Sequence, residues 1–383
     1  MRDRQPIYLD CAATTPMDSR VAELVMRLFV DEFGNAGSRT HTYGAAAQRE
    51  VGIARERLAA TMDCEPEEVI FTSGATESDN LAILGLSKFG ASEGRRHIIS
   101  TAIEHKAVLE PLGRLAEGGF EVTLVSPDRA GYVSASDVLA AIRPETLLVS
   151  VMHANNETGA LQPIAEIAND LPADDGPFFH VDAAQTYGRE TPTLRHRRID
   201  MISISGHKVF GPKGVGALVA RRRSGRRLPL QPLMVGGGQE RGLRPGTQPV
   251  PLIAGLGLAA ELANVERVSR TAACVRLRDE ALAALAPLEP VMHGNPVRGV
   301  LANILSVAIP GLDSEAVMVA LKDQVAISNG SACTSARYEP SHVLAAMGLS
   351  EEEVAGTVRL SWCHSTPEVA WRDVVAILSD LRL

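Results

Sequence analysis

The sequence predicts an α/β fold: a large unit built on a mainly parallel sheet with helices layered over it, joined to a smaller α+β unit. Three observations carry that expectation. Short apolar runs alternate with amphipathic helical stretches through the first two thirds of the chain, the runs are apolar on both faces, and the texture changes near residue 256. Strands buried on both faces read as continuous apolar runs, and a strand–helix alternation is the pattern of parallel crossover units. At 383 residues the chain is long for a single core, so two units are the starting expectation.

Taken in order, "EVIFTS" (68–73), "HIIST" (97–101), "VTLVS" (122–126), "LLVSVM" (147–152), "FFHVD" (178–182), "MISIS" (201–205) and "GALVARR" (216–222) read as strands. Helical stretches such as "SDNLAILGLSKFG" and "PIAEIANDL" lie between most of them. Ligands of such sheets bind at the carboxyl ends of the strands, so polar residues there are the site candidates. From 256 to 285, "LGLAAELANVERVSRTAACVRLRDEALAAL" reads as one long helix. The strand-like "NILSVAIP" (303–310) and further short helices follow it. No internal repeat or low-complexity tract interrupts the chain.

Composition narrows the function classes. Hydrophobic residues make up 45% and charged residues 22%, as in ordinary globular proteins. A formal charge of −8 argues against a direct nucleic-acid partner, and the basic run "RRRSGRR" (221–227), bounded by Gly and Pro, reads as a solvated loop. Neither a leader pattern nor a run of about 18 uninterrupted apolar residues is present, so a cytoplasmic protein without a membrane partner is expected. The five cysteines are scattered, without a CxxC pair, and no His/Cys cluster has metal spacing. A disulfide framework and a bound metal are therefore not expected.

Chemistry enters with lysine. The chain uses Arg 33 times and Lys five times, yet Lys208 and Lys213 both fall within "SGHKVFGPKG" (205–214). Arg stays protonated, whereas a desolvated Lys can lose its proton and form a Schiff base, which points to a carbonyl cofactor. A solvated turn that holds two lysines by chance fits the same ten residues. "TSGATESDN" (72–80) follows a strand and opens a helix with small residues, a setting for a phosphate or for an ordinary capped turn. Asp182 ends the apolar strand "FFHVD", where an unpaired carboxylate is costly, so a protonated pyridine nitrogen or a salt bridge is its natural partner. His105, also just past a strand, suits ring stacking, proton transfer or simple packing.

Their co-occurrence decides among these readings. In order along the chain stand "YLDCAATTP" (8–16), "GNAGSRTHTYG" (34–44), "FTSGATESDNLAI", "EHKAVLE", "MHANNETG" (152–159), "HVDAAQ", "SGHKVFGPKGVGAL", "GGGQERGLRPGT" (236–247) and "SNGSACTSA" (328–336). Together they resemble the class V aminotransferase group of pyridoxal-phosphate enzymes, and within it the cysteine desulfurases of the NifS and IscS type. The resemblance implies the aspartate-aminotransferase-like fold, fold type I, with a mainly parallel seven-stranded sheet in the large domain. It implies a cofactor-binding domain at 15–255, with a smaller domain made of 1–14 and 256–383 that carries the catalytic cysteine loop. The implied cofactor is pyridoxal 5'-phosphate. Lys208 would form the Schiff base, Asp182 would pair with the pyridinium nitrogen, and His105 would stack on the ring. Asn156 and Gln185 would contact the ring oxygen or the substrate side of the ring, while Ala75, Thr76, Ser205 and His207 would hold the phosphate. Thr247 would reach the phosphate of a neighbouring subunit, which implies a homodimer with shared sites. Arg359, in "VRLS", matches the arginine that binds the substrate carboxylate. Lys213 is structural in this comparison.

Cys333 lies in the Gly/Ser-rich "AISNGSACTSARYEPSHVL" and matches the family's nucleophile. Cys11, Cys64 and Cys274 read as structural. The implied activity converts L-cysteine to L-alanine and leaves a persulfide on Cys333 for a protein sulfur acceptor. That acceptor would serve iron–sulfur clusters, tRNA thiolation or DNA sulfur modification. Two departures stand out. Trp362, Cys363 and His364 replace the Gly and Arg that many relatives carry after "VRLS", and the chain ends at Leu383 without the scaffold-docking tail of longer IscS-type enzymes. The rival readings are an aminotransferase or lyase of the same fold that needs no thiol, and a non-catalytic sulfur carrier.

Overall fold

The computed structural model describes residues 5–172, 175–329 and 340–382. The strands are β1 (Ile7–Tyr8), β2 (Val69–Thr72), β3 (His97–Thr101), β4 (Glu121–Val125), β5 (Thr146–Ser150), β6 (Phe178–Asp182), β7 (Met201–Ser205), β8 (Gly216–Ala220), β9 (Val291–His293), β10 (Ile304–Ala308), β11 (Val325–Ala326) and β12 (Thr357–Ser361). Seven form one sheet in the order β2-β8-β7-β6-β5-β3-β4. Its run from β7 to β4 is parallel, and β8 alone runs antiparallel to its neighbours β7 and β2. The mainly parallel seven-stranded sheet expected from the sequence is thus present.

Alternation along each strand feeds two cores. Phe71, Ile99, Val149, Val181, Ile202 and Val219 face the helices Ser19–Val30, Thr42–Met62 and Val250–Val265. Their neighbours Ile70, Ile98, Leu148, Met201 and Leu218 pack on the other face against the helices Ala75–Leu84 and Lys106–Glu117. A side chain of this size, fully buried, contributes about 1.5–3 kcal/mol, so a sheet covered on both faces is rigid where its strands end.

A third core joins the antiparallel sheet β12-β10-β9 to the helices Arg267–Leu285, Ser314–Leu321 and Trp371–Leu381 through Val307, Leu360, Trp362 and Leu378. β1 pairs in parallel with β11 against this core. Residues 256–285 are not one helix. The chain breaks at Glu266 (φ −92°, ψ 6°) between Val250–Val265 and Arg267–Leu285. The Glu266 carboxylate accepts from Arg20 at 2.6 Å and from Arg270 at 2.8 Å, and these charge-assisted bonds hold the turn against continuing the helix. The first of the two helices spans the 255/256 boundary, and its Leu256, Ala259 and Ala260 belong to the core of the large sheet.

Candidate active site

The carboxyl ends of the parallel strands open into a cavity of about 520 Å³. Its lining brings together Ala75, Thr76, His105, Asn156, Asp182, Gln185, Ser205, His207, Lys208 and Arg359. Thr247 is not among the lining residues and is exposed at the surface. Cys333 lies outside the described residues.

Each wall follows from a local element. Gly216 opens β8 with its Cα against the turn before the helix Ala75–Leu84; a Cβ there would lie 2.4 Å from the Ile204 carbonyl oxygen and 2.6 Å from the Gly74 Cα. Only glycine permits that approach, which sets the start of the helix beside Ser205 at the end of β7. No side chain caps this helix, so its first amide groups are available to an anion. His105 caps the helix Lys106–Glu117, and its Nδ1 accepts from the Ala107 amide at 3.1 Å. Lys208 ends the short turn Gly206–Lys208 after β7, and its ammonium donates to the carbonyls of Ala12 and, at 2.9 Å, Ala13.

Asp182 ends β6 with Oδ1 accepting from the Ala184 amide at 2.8 Å. Burial, and then the neighbouring Asp79, push its pKa up to about 6. Burial lowers the basicity of His105, although the charge of Asp182 opposes the shift. His207 is pushed down to about 4 by burial and by the charges of Lys208 and Lys213. Lys213, assigned no chemistry from sequence, also lines the cavity.

The guanidinium of Arg359 lies in β12 and is 1% exposed. It donates to the Asn156 carbonyl at 2.7 Å and to Asp10 at 2.8 Å, while its Nε is buried without a partner. Asp10 and the carbonyls of Ala12 and Ala13 therefore belong to the site, and so does Asp79 behind Asp182. The motif "YLDCAATTP" contained the first three, but spacing gave no sign that their contacts lay some 200 and 350 residues away. Asp79 sits in "TSGATESDN", a stretch read for its helix-opening turn, where nothing in the sequence marked Asp79 as lying behind Asp182.

The class-V aminotransferase family model matches residues 7–369. The chain is 46% identical over 369 residues to the cysteine desulfurase IscS of Acinetobacter baumannii strain AYE, covering 95% of this chain and 90% of that protein. The chain belongs to the cysteine desulfurases of the class-V aminotransferase family. Among solved structures, DndA from Streptomyces lividans is 51% identical with a TM-score of 0.81, covering 93% of this desulfurase and 99% of that chain. SspA in complex with cysteine is 39% identical with a TM-score of 0.78, covering 93% and 98%.

The desulfurase depends on pyridoxal phosphate, and the cavity fits that group. The uncapped helix start and the glycine contact at Gly216 make a cradle of phosphate size beside Ser205 and His207. Asp182 presents a buried carboxylate for which a cationic ring nitrogen is the complementary partner. Gln185 donates to the Ala12 carbonyl at 3.0 Å, leaving its Oε1 buried in the lining without a hydrogen bond.

Proposed function

We propose that this desulfurase transfers the sulfur of L-cysteine to Cys333, giving L-alanine and a Cys333 persulfide that passes its terminal sulfur to a protein acceptor. One arrangement supports the assignment of roles: the Lys208 amine and the Asp182 carboxylate enter a single cavity from the ends of adjacent strands, with Arg359 in its wall.

Pyridoxal phosphate, when bound, supplies a carbonyl carbon that captures the substrate amine and a ring that accepts the electron pair left by a broken Cα–H bond. Lys208 takes the α-proton at Nζ, which the Ala12 and Ala13 carbonyls aim into the cavity. Asp182, ionised, keeps the ring nitrogen protonated, and His105 covers the ring face. Thr76, Ser205, His207 and the amides of Ala75 and Thr76 hold the phosphate. Arg359 receives the substrate carboxylate, drawing on the Nε that has no partner within the chain. The Cys333 thiolate attacks the substrate sulfur. The C–S bond breaks, an S–S bond forms, and the atoms of L-cysteine and a thiol become those of L-alanine and a persulfide.

Thr247, exposed and away from its own cavity, serves the cavity of a second copy in a homodimer. The two units proposed for the chain meet in the helix Val250–Val265. Purified protein incubated with L-cysteine is expected to form alanine and a persulfide that peptide mapping assigns to Cys333. Cys333→Ser should retain cofactor binding and lose persulfide turnover, and Lys208→Ala should abolish both products. Alanine and sulfide at the wild-type rate from Cys333→Ser would move the enzyme to the thiol-independent lyase reading.

A further inference from the structure

Behind Lys208 lies a second, smaller cavity of about 40 Å³, lined by Cys274, Cys363, His364, Arg189, Arg270 and Phe210 among others. It is large enough for a water or a molecule of similar size. Cys11 and Cys363 pack against each other and Phe210 at this point, 1% and 4% exposed. The backbone brings them together: Asp10 bridges Ser361 in parallel register, and the Cys11 amide donates to the Ser361 carbonyl at 3.0 Å. Cys11 is one residue past that bridge and Cys363 two. Adjacent strands at that offset place the two Cα atoms roughly 6 Å apart, within the span of about 4.4–6.8 Å that a disulfide bridges.

The two thiols have unequal surroundings. The Cys363 sulfur lies 3.2 Å from the Ser365 hydroxyl and accepts from the Thr366 hydroxyl at 3.6 Å. The Thr366 oxygen accepts from the Cys363 amide at 2.9 Å, which leaves its hydrogen directed at the sulfur. The neighbouring Cys11 thiol does most to pull Cys363 down to about 5, with the Ser365 and Thr366 hydroxyls adding to it against the opposing effect of burial, and the same contact together with burial pushes Cys11 up. Cys274, on the same cavity, has no such donors and is pushed up to about 11 by burial.

We propose that Cys363 and Cys11 are an oxidisable pair, in which a hydroperoxide entering the small cavity oxidises Cys363 and Cys11 closes the product to an intramolecular disulfide. The sulfur of Cys363 attacks the peroxide, the O–O bond breaks, and a sulfenic acid and an alcohol or water result. The sulfur of Cys11 then displaces hydroxide, which leaves as water with the Cys11 proton. The hydroperoxide is the two-electron oxidant. Cys11 is flanked by Asp10, which pairs with Arg359, and Ala12, whose carbonyl receives Lys208, so the link would tie Cys363 to that segment of the site.

Reduced holoenzyme is treated with hydrogen peroxide, denatured in an alkylating reagent and digested without reductant. The expected product is a peptide pair containing Cys11 and Cys363, lighter than its parts by two hydrogen atoms and lost on adding dithiothreitol. Cys363→Ser should leave Cys11 fully alkylated, and Cys11→Ser should leave oxygen on Cys363. Recovery of both cysteines alkylated in the wild-type enzyme while Cys333 is oxidised overturns the proposal, as does a Cys11–Cys274 link.

Discussion

A carboxylate buried at the end of β6 must either meet a cation or take up a proton. Asp182, raised to about 6 first by burial and then by Asp79, protonates as the pH falls below that value, and the hold on a cationic ring proposed for it would then be lost. Cofactor association with stripped protein should therefore weaken toward low pH, by about tenfold per unit below 6. Asp182→Asn should lose that slope and lower turnover on the order of 10²-fold or more; equal slopes in titrations of the two proteins would contradict the role. Asp79 makes the opposite demand. Burial raises it to about 7, outweighing the Ser203 hydroxyl beside it, and its Oδ1 lies 3.5 Å from His180 Nε2. Its folded form keeps a proton that the unfolded chain releases from about pH 4, so it withdraws stability as the pH rises toward 7. Asp79→Asn should raise the melting temperature of cofactor-free protein more at pH 8 than at pH 5, on the order of 5 °C. A pH-independent difference would count against a buried, protonated Asp79. Asp182 was legible in the sequence because a carboxylate ended an apolar run. Asp79 was not, because it stands inside a helix and only the placement of the neighbouring strands shows that it is buried behind Asp182.

At the scale of elements, the close approach of β8 to the turn at Gly74 shapes the cradle proposed to hold the phosphate. Gly216→Ala forces the Ile204 carbonyl and the Gly74 backbone apart, at a cost of about 1–3 kcal/mol. Denaturant midpoints of the variant should fall accordingly, and its retention of pyridoxal phosphate during gel filtration should drop; wild-type retention would show that the cradle tolerates the added methyl group. The inner strands of the large sheet were readable because both faces are buried, so their residues form largely apolar runs such as "LLVSVM", whereas β4 at the edge is only partly buried. β12 was not readable, because Arg359 stands in the middle of "TVRLS" and is buried by partners, Asp10 and the Asn156 carbonyl, that spacing does not reveal. β1 and β11 hold two residues each, too few to show a period. The break at Glu266 was hidden for a similar reason: glutamate favours helix, and only tertiary contacts with Arg20 and Arg270 turn it into a corner.

Over the whole molecule, exposed aromatic side chains mark a face that the proposed homodimer would bury. Phe29, Phe33 and Tyr43 are 53%, 67% and 54% exposed, and the Phe33 and Tyr43 rings lie 5.6 Å apart. Light scattering should give twice the 40.8 kDa of one chain, and Phe33→Glu should shift that mass toward the monomer. A wild-type monomer would remove the role proposed for Thr247. No helix among the described residues is long and apolar enough to cross a membrane.

Residues 7–15 run as a seam between the sheets. β1 pairs with β11, Asp10 holds Arg359, the carbonyls of Ala12 and Ala13 receive Lys208, and Thr15 donates to the His207 carbonyl at 2.9 Å. This seam sets an order for biosynthesis. Residues 69–220, which form the large sheet, leave the ribosome well before residue 359, so the nascent chain can assemble its cofactor cradle while the first residues made still wait for the strand that fixes them. Such long-range closure is slow compared with local folding. With Arg359 in the role proposed for it, the seat for the substrate carboxylate is completed only near the end of translation.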